Sequence, residues 1–174
     1  MNLSKSLQAK LNKHLPTKEQ QAFIELAVNA ELNKYVAKKT DVIEVFVDGG
    51  SRGNPGIAGG GFAAFKGGEK LLEGSEFYGE KTNNQSEYLA LRTALRELFG
   101  KFPESNIHCF MDSKLVVEQM SGNFKVKSAN VRPLYEEVSR IAGQFKSFTI
   151  EHVMREQNAI ADALANRAMD MRGS

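Results

Sequence analysis

The apolar pattern of the chain changes period near residue 41. Before that point Leu3, Leu7, Leu11 and Leu15 recur every four residues, which predicts a short amphipathic helix interrupted by Pro16. Thr17 followed by Gln20 has the form of a capping box. The helix it opens carries Phe23, Leu26, Ala27 and Ala30 on one side, so residues 1 to 40 are expected to form a helical hairpin. From Val42 onward the pattern is mixed. VIEVFV (42–47) is almost continuously apolar, as in a central strand buried on both faces. GGGFAAFKGG (59–68) and EKLLEGSEFYG (69–79) read as two further strands joined by a tight turn near Gly67-Gly68. NNQSEYLALRTALRELFG is helical, with Leu91, Leu95 and Leu98 on one side and Gly100 as its stop. NIHCFM is a short strand, and DSKLVVEQMSG is a helix opened by an aspartate–serine pair. The loop NFKVKSAN leads to a helix over VRPLYEEVSRIAG, then a strand over FKSFTIEHV and an alanine-dense helix over NAIADALANRAMD. The order β-β-β-α-β-α-α-β-α predicts an α/β fold. It is a mixed sheet of three antiparallel strands followed by parallel ones, with helices packed on it. In such sheets, sites form at the carboxyl ends of the parallel strands.

Composition changes this picture little. With 174 residues the chain can hold one core-bearing domain, 41 to 171, plus the N-terminal extension, 1 to 40; the closing Arg-Gly-Ser (172–174) reads as a remnant of an expression tag. No apolar run approaches the roughly 20 residues of a membrane span, and no secretory leader pattern is present. The single cysteine, Cys109, excludes an internal disulfide and any zinc site built on paired cysteines. These features predict a cytoplasmic protein without membrane contact, with a monomer favoured. Charge is more informative than its net value of +2. Residues 1 to 40 hold seven lysines and three glutamates, whereas the remainder, with 16 basic and 18 acidic residues, is slightly acidic. A basic arm suits a polyanionic partner, although lysine-rich helices are most often simply solvated.

Four acids stand in otherwise apolar settings. Asp48 follows VIEVFV, and Asp112 follows NIHCFM, so both are expected at one rim of the sheet if their strands are neighbours. Glu87 is placed in the first turn of an apolar helix, and Asp162 lies between Ala161 and Ala163 in a helix of small residues. Each has an ordinary explanation: a turn residue for Asp48, a helix cap for Asp112, a first-turn acid for Glu87, a solvent-facing residue for Asp162. Gathered in one place, each pair at ~4 Å would repel by ~4 kcal/mol at an effective dielectric of 20. No lysine or histidine cluster stands beside them in sequence to offset this. Hard carboxylate oxygens favour magnesium or manganese, and four of them suffice for two ions about 3.5–4 Å apart that share Asp48.

Four blocks, VDGGSRGNPG, TNNQSEYLAL, MDSKLVVEQ and HVMREQNAIADALAN, closely resemble the catalytic blocks of type 1 ribonuclease H and occur in that family's order across about residues 42 to 170. The resemblance implies a five-stranded mixed sheet with the first strand central. It implies Asp48, Glu87, Asp112 and Asp162 as ligands of two Mg2+ ions, with Mn2+ able to substitute. The implied reaction is hydrolysis of the RNA strand of an RNA–DNA hybrid, leaving 5′-phosphate and 3′-hydroxyl ends. The alternative is a non-catalytic hybrid-binding module on the same fold, against which the full set of four acids argues.

The same resemblance implies substrate contacts. Gly49 and its neighbouring glycines would let the nucleic-acid backbone approach the metals, and Asn54 resembles the residue that touches ribose 2′-hydroxyls. Asn83 and Asn84 resemble minor-groove contacts near the scissile bond. Thr82 resembles a contact to the DNA-strand phosphate, with a helix N-cap as its ordinary role. Ser113 and Lys114 follow the third acid; the family commonly has glutamine where Lys114 stands. Two departures are visible. None of His14, His108 and His152 falls in the loop before Asp162, where many members place a histidine. Arg155 matches the REQN loop of the subfamily lacking that histidine and is expected to take its place, as a charge stabiliser rather than a base. Glu156 is the other candidate for handling protons, and an ion pair with Glu156 or Glu151 is the ordinary explanation of Arg155. The basic protrusion of better-known members is also absent, with only Lys125 and Lys127 in its place. This resembles the short subfamily, some members of which also cut double-stranded RNA.

Overall fold

The structure, a computed structural model, describes residues 24, 25, 27–30 and 41–171. The chain divides into two units, Met1–Lys39 and Thr40–Ser174. Residues 24, 25 and 27–30 are helical; the rest of the expected hairpin, and residues 172 to 174, lie outside the described residues. In the second unit three strands come first: β1 (Val42–Gly53), β2 (Gly56–Lys66) and β3 (Glu69–Lys81). They are followed by α1 (Asn83–Lys101), β4 (Asn106–Met111), α2 (Lys114–Met120), α3 (Arg132–Ala142), β5 (Ser147–His152), a 3-10 turn over Arg155–Asn158 and α4 (Ala159–Met171). The sheet order is β3-β2-β1-β4-β5, antiparallel from β3 to β1 and parallel from β1 to β5. This is the expected five-stranded mixed sheet, with β1 at its centre.

Among the boundaries that differ from expectation, three bear on the site or its helices. β1 does not stop at Asp48 but continues five residues to Gly53, paired with β2 as far as Gly53↔Gly56. Asp48 therefore lies within a paired strand, opposite Gly61. Gly100 does not end α1, which runs on to Lys101 and is closed by Phe102. Asp112 is not a cap: Ser113 holds the cap position of α2 and makes no side-chain capping bond.

The alternation of β1 sorts its side chains. Ile43, Val45 and Val47 are buried on the face covered by α1, while Phe46 stacks on Phe110 of β4 on the other face, ring centroids 4.9 Å apart. Two residues further along both parallel strands lie Asp48 and Asp112, so they occupy that same face side by side. Strands run ~4.8 Å apart, which brings these two carboxylates into one another's range. The same face is covered by α4: a Cβ on Gly61 would lie 2.4 Å from Leu164 Cβ and 2.5 Å from the backbone nitrogen of Ala165. Only glycine at 61 lets α4 lie this close to the sheet, and that closeness carries Asp162 to the strands. On the opposite face Leu91, Leu95 and Leu98 of α1 are fully buried, each contributing roughly 1.5–3 kcal/mol of transfer free energy. Among the described residues no helix is long and apolar enough to cross a membrane.

Candidate active site

Asp48, Glu87, Asp112 and Asp162 line one hollow together with Gly49, Gly50, Ser51, Arg52, Asn83, Arg155, Asn166 and Met169. Four acids separated by up to 114 positions in sequence thus share a single concavity at the rim of β1 and β4. Each arrives by a different route. Asp48 is held by a strand paired on both sides, and Asp112 by the first residue beyond β4. Glu87 is the fifth residue of α1, not part of its first turn, so the explanation of a first-turn acid does not apply. It reaches the rim because α1 presses directly on β1: a Cβ at Gly49 would sit 2.2 Å from the carbonyl oxygen of Ser86. Asp162 is the fourth residue of α4.

The start of α1 is pinned to the same rim. Thr82 caps it, its hydroxyl accepting from the Gln85 N–H at 3.4 Å while the Gln85 side chain accepts from the Thr82 N–H at 3.0 Å. The Oδ1 of Asn54 accepts from the N–H of Asn83 at 3.1 Å, and the Oδ1 of Asn83 accepts from the N–H of Ser51 at 3.3 Å. These bonds fasten the β1–β2 turn to the helix.

The electrostatics are those of like charge that arginine offsets only in part. Burial, then the charges of Asp112 and Asp162, push Asp48 up to about 7; Arg155 and the Gly49 N–H act the other way. Glu87 is pushed well above the usual carboxylate range by burial first and by Asp48 and Asp112 next. The Gly49 N–H and the Ser113 hydroxyl offset part of this. Its Oε2 is buried without a hydrogen-bond partner. A cation faces the cluster: the exposed Arg155 donates to Asp162 Oδ1 at 2.5 Å and is itself held more firmly protonated by that carboxylate. Its partner is thus one of the four acids, rather than Glu156 or Glu151.

Other expected site residues are distributed around this hollow. Gly49 and Asn83 line it. Ser113 touches Glu87 rather than the open space, and Asn54 and Thr82 serve the α1 N-terminus at its edge. Asn84 lines a second hollow with Leu115, Gln119, Lys125, Lys127, Ser128 and Val131. Lys114 is exposed at the start of α2 and lines neither, and Glu156 is exposed outside the acidic hollow. His152 ends β5, and His108 pairs with Glu151 at 3.1 Å. Two asparagines of the fourth sequence block, to which the sequence assigns no role, hold the acids: Asn158 donates to Asp112 Oδ1 at 3.1 Å, and Asn166 to Asp162 Oδ2 at 3.0 Å.

The donor set suits a hard divalent cation, and the partnerless Glu87 oxygen together with the raised Asp48 marks negative charge that the protein does not itself neutralise. Among the described residues, however, no group of three or more His, Cys, Asp and Glu side chains is placed to hold a metal ion as it stands. Coordination would need side-chain rotation and release of Asp162 by Arg155.

Residues 46–168 match the family described as "Reverse transcriptase-like". Over 130 residues the chain is 42% identical to the bifunctional protein Rv2228c of Mycobacterium tuberculosis, an alignment covering 74% of this chain and 35% of that protein. The chain therefore spans only about a third of the length of this relative. It is 34% identical over 145 residues to the ribonuclease H of Nitrosococcus oceani, covering 75% of this chain and 95% of that one. Among solved structures it resembles LC11-RNase H1 in complex with an RNA/DNA hybrid, with a TM-score of 0.71 and 37% identity over 74% of this chain and 97% of that one. The chain belongs to the type 1 ribonuclease H family.

Proposed function

We propose that the protein is an endoribonuclease that hydrolyses the RNA strand of RNA–DNA hybrids with divalent cations held by Asp48, Glu87, Asp112 and Asp162. The observation that carries this reading is the meeting of the four acids in one hollow whose charge is left unbalanced. Bound there, two Mg2+ ions would supply an activated water and charge stabilisation at the leaving oxygen, giving 5′-phosphate and 3′-hydroxyl products. Mn2+ would substitute, having similar preference for oxygen ligands.

The chain's own residues have separable tasks. Asp48 lies on a strand bonded on both sides, so its backbone is held in place at the rim that Asp112 and Glu87 share. Arg155 neutralises Asp162 in the resting protein; drawn off it, the guanidinium is free to face the scissile phosphate and stabilise charge developing there. Asn54 uses Oδ1 on the α1 terminus, which leaves its Nδ2 to donate to a ribose 2′-oxygen, the group that separates RNA from DNA. Asn83, in the hollow's wall, would meet the minor-groove edge of the duplex near the cut, and Gly49, without a side chain, would let the nucleic-acid backbone approach the cations. Thr82 would meet a DNA-strand phosphate by redirecting the hydroxyl proton that it donates to Gln85 Oε1, while still accepting from the Gln85 N–H, and Ser113 supports Glu87. In the second hollow Lys125 and Lys127, with nearby Lys114, would grip the uncleaved strand through its phosphates, and Asn84 beside them would meet the minor groove.

The test is a magnesium-containing assay on end-labelled RNA–DNA, RNA–RNA and DNA–DNA duplexes in one gel. The reading expects cleavage of RNA in the hybrid, none of DNA–DNA, and products bearing 5′-phosphates. Binding of the hybrid without cleavage would instead support the non-catalytic module. Cleavage of RNA–RNA as well would extend the substrate class as the short subfamily suggests.

A further inference from the structure

Asn158 ends the 3-10 turn before α4 and is completely buried. Its Nδ2 donates to the carbonyl oxygen of Val47 at 2.9 Å and to Asp112 Oδ1 at 3.1 Å. Both acceptors are oxygens, so the opposite orientation of the amide would set its own oxygen against two others. Val47 directly precedes Asp48, and Asp162 lies four residues, about one helical turn, beyond Asn158. One NH2 group therefore joins the segments that carry three of the four acids: β1 through a backbone carbonyl, β4 through the Asp112 carboxylate itself, and α4 through the chain. Its Oδ1 is buried with no hydrogen-bond partner, so these two donations alone orient the side chain.

We propose that Asn158 is a positioning residue for the carboxylate cluster. Its amide fixes the rotation of Asp112 and holds β1, β4 and the start of α4 in the relative places from which Asp48, Asp112 and Asp162 can serve one cation site. A donor bond to one carboxylate oxygen also leaves the other oxygen of Asp112 for the cation and fixes the direction in which it points. The inference rests on the reading of the site as a metal-dependent nuclease.

The test compares the full chain with Asn158→Ala and Asn158→Asp. Calorimetric titration with MgCl2 and with MnCl2 reads the metal site directly, and steady-state kinetics on hybrid separate kcat from KM. Asn158→Ala is expected to weaken metal binding and lower kcat by about 10- to 100-fold, with KM within twofold. Asn158→Asp, which sets an oxygen against both acceptors, is expected to lose more than Asn158→Ala. A merely structural asparagine predicts lower melting temperatures for both variants with unchanged metal affinity and kcat in the folded protein, and that result overturns the proposal. Should neither variant fold, the wild-type protein still decides. The side-chain amide resonances of Asn158, labelled with 15N, should exchange slowly and shift on addition of magnesium; resonances that exchange fast or stay unmoved at saturation overturn it. Wild-type protein that neither binds metal nor cleaves hybrid would refute the nuclease reading itself. Active wild-type protein matched by Asn158→Ala would refute this inference alone.

Discussion

Two hollows flank the first turn of α1. Asn83 lines one of them with Asp48, Glu87, Asp112 and Asp162, and Asn84 lines the other with Lys125, Lys127 and Leu115. In the first, four carboxylates outnumber the arginines beside them on paired strands and packed helices, and burial followed by the charges of Asp112 and Asp162 pushes Asp48 up to about 7. In the second, the two lysines sit on the irregular stretch between α2 and α3, and no carboxylate is among the described residues that line it. The contrast separates two physical tasks. Chemistry at a phosphodiester needs donors fixed within fractions of an ångström, which only a rigid sheet rim provides. Phosphate grip needs positive charge within reach and tolerates mobility. Changes in the acidic hollow should therefore strike kcat and metal binding, and changes in the lysine-bearing hollow should strike KM and salt dependence.

The largest effect is expected from Asp48→Asn. It should lower kcat on hybrid by about 1000-fold or more, equivalent to about 4 kcal/mol of barrier. Because it removes repulsion from Asp112 and Asp162, it should leave the metal-free melting temperature unchanged or raised, measured by circular dichroism. Next comes Gly49→Ala. Its Cβ would meet the Ser86 carbonyl at 2.2 Å, so α1 must move away from β1. The expected loss is about 3 kcal/mol in urea unfolding, with activity falling because Glu87 moves with the helix.

The third effect follows from Asp48 binding its proton more tightly in the folded chain than in the unfolded one. Stability of the metal-free protein should then fall as pH rises between the ordinary value of 3.8 and about 7, since the unfolded chain sheds the proton first. Asp48→Asn should reduce that slope, and what remains belongs to Glu87, whose burial raises it in the same direction. Magnesium at 100 times its dissociation constant should raise stability at pH 7.5 by about 2.7 kcal/mol, read as a higher melting temperature. The smallest effect belongs to the other hollow. Lys125→Ala with Lys127→Ala should raise KM several-fold with kcat within twofold. It should reduce the slope of log affinity against log salt by about one unit for each phosphate that a lysine no longer neutralises, measured by fluorescence anisotropy.

Much of this contrast can be read from the residues. The four acids are marked because each interrupts an apolar run, and the order of strands and helices follows from a change of period. What escapes the pattern is non-local. Residues 48 to 53 look like turn because they are rich in glycine, yet pairing with β2 keeps them extended to Gly53. Asn158 gives no local sign of its role, since its backbone acceptor lies 111 positions away. Arg155 is legible as a functional residue, but its partner is not. Sequence neighbours offer Glu156 and Glu151, whereas a helical turn brings Asp162 to it. Ser113 likewise sits where a cap is expected, yet it makes no capping bond and lies near enough to Glu87 to offset part of that acid's upward shift.

Divalent cations shared by the clustered carboxylates are expected to supply the charge that lets Asp48 and Glu87 ionise. Calorimetric titration of MgCl2 into the full chain, alone and with a hybrid duplex, tests it most directly. Saturable uptake by the wild-type protein that disappears in Asp48→Asn is the expected result. No uptake in either condition, or uptake unaltered by that substitution, would contradict it.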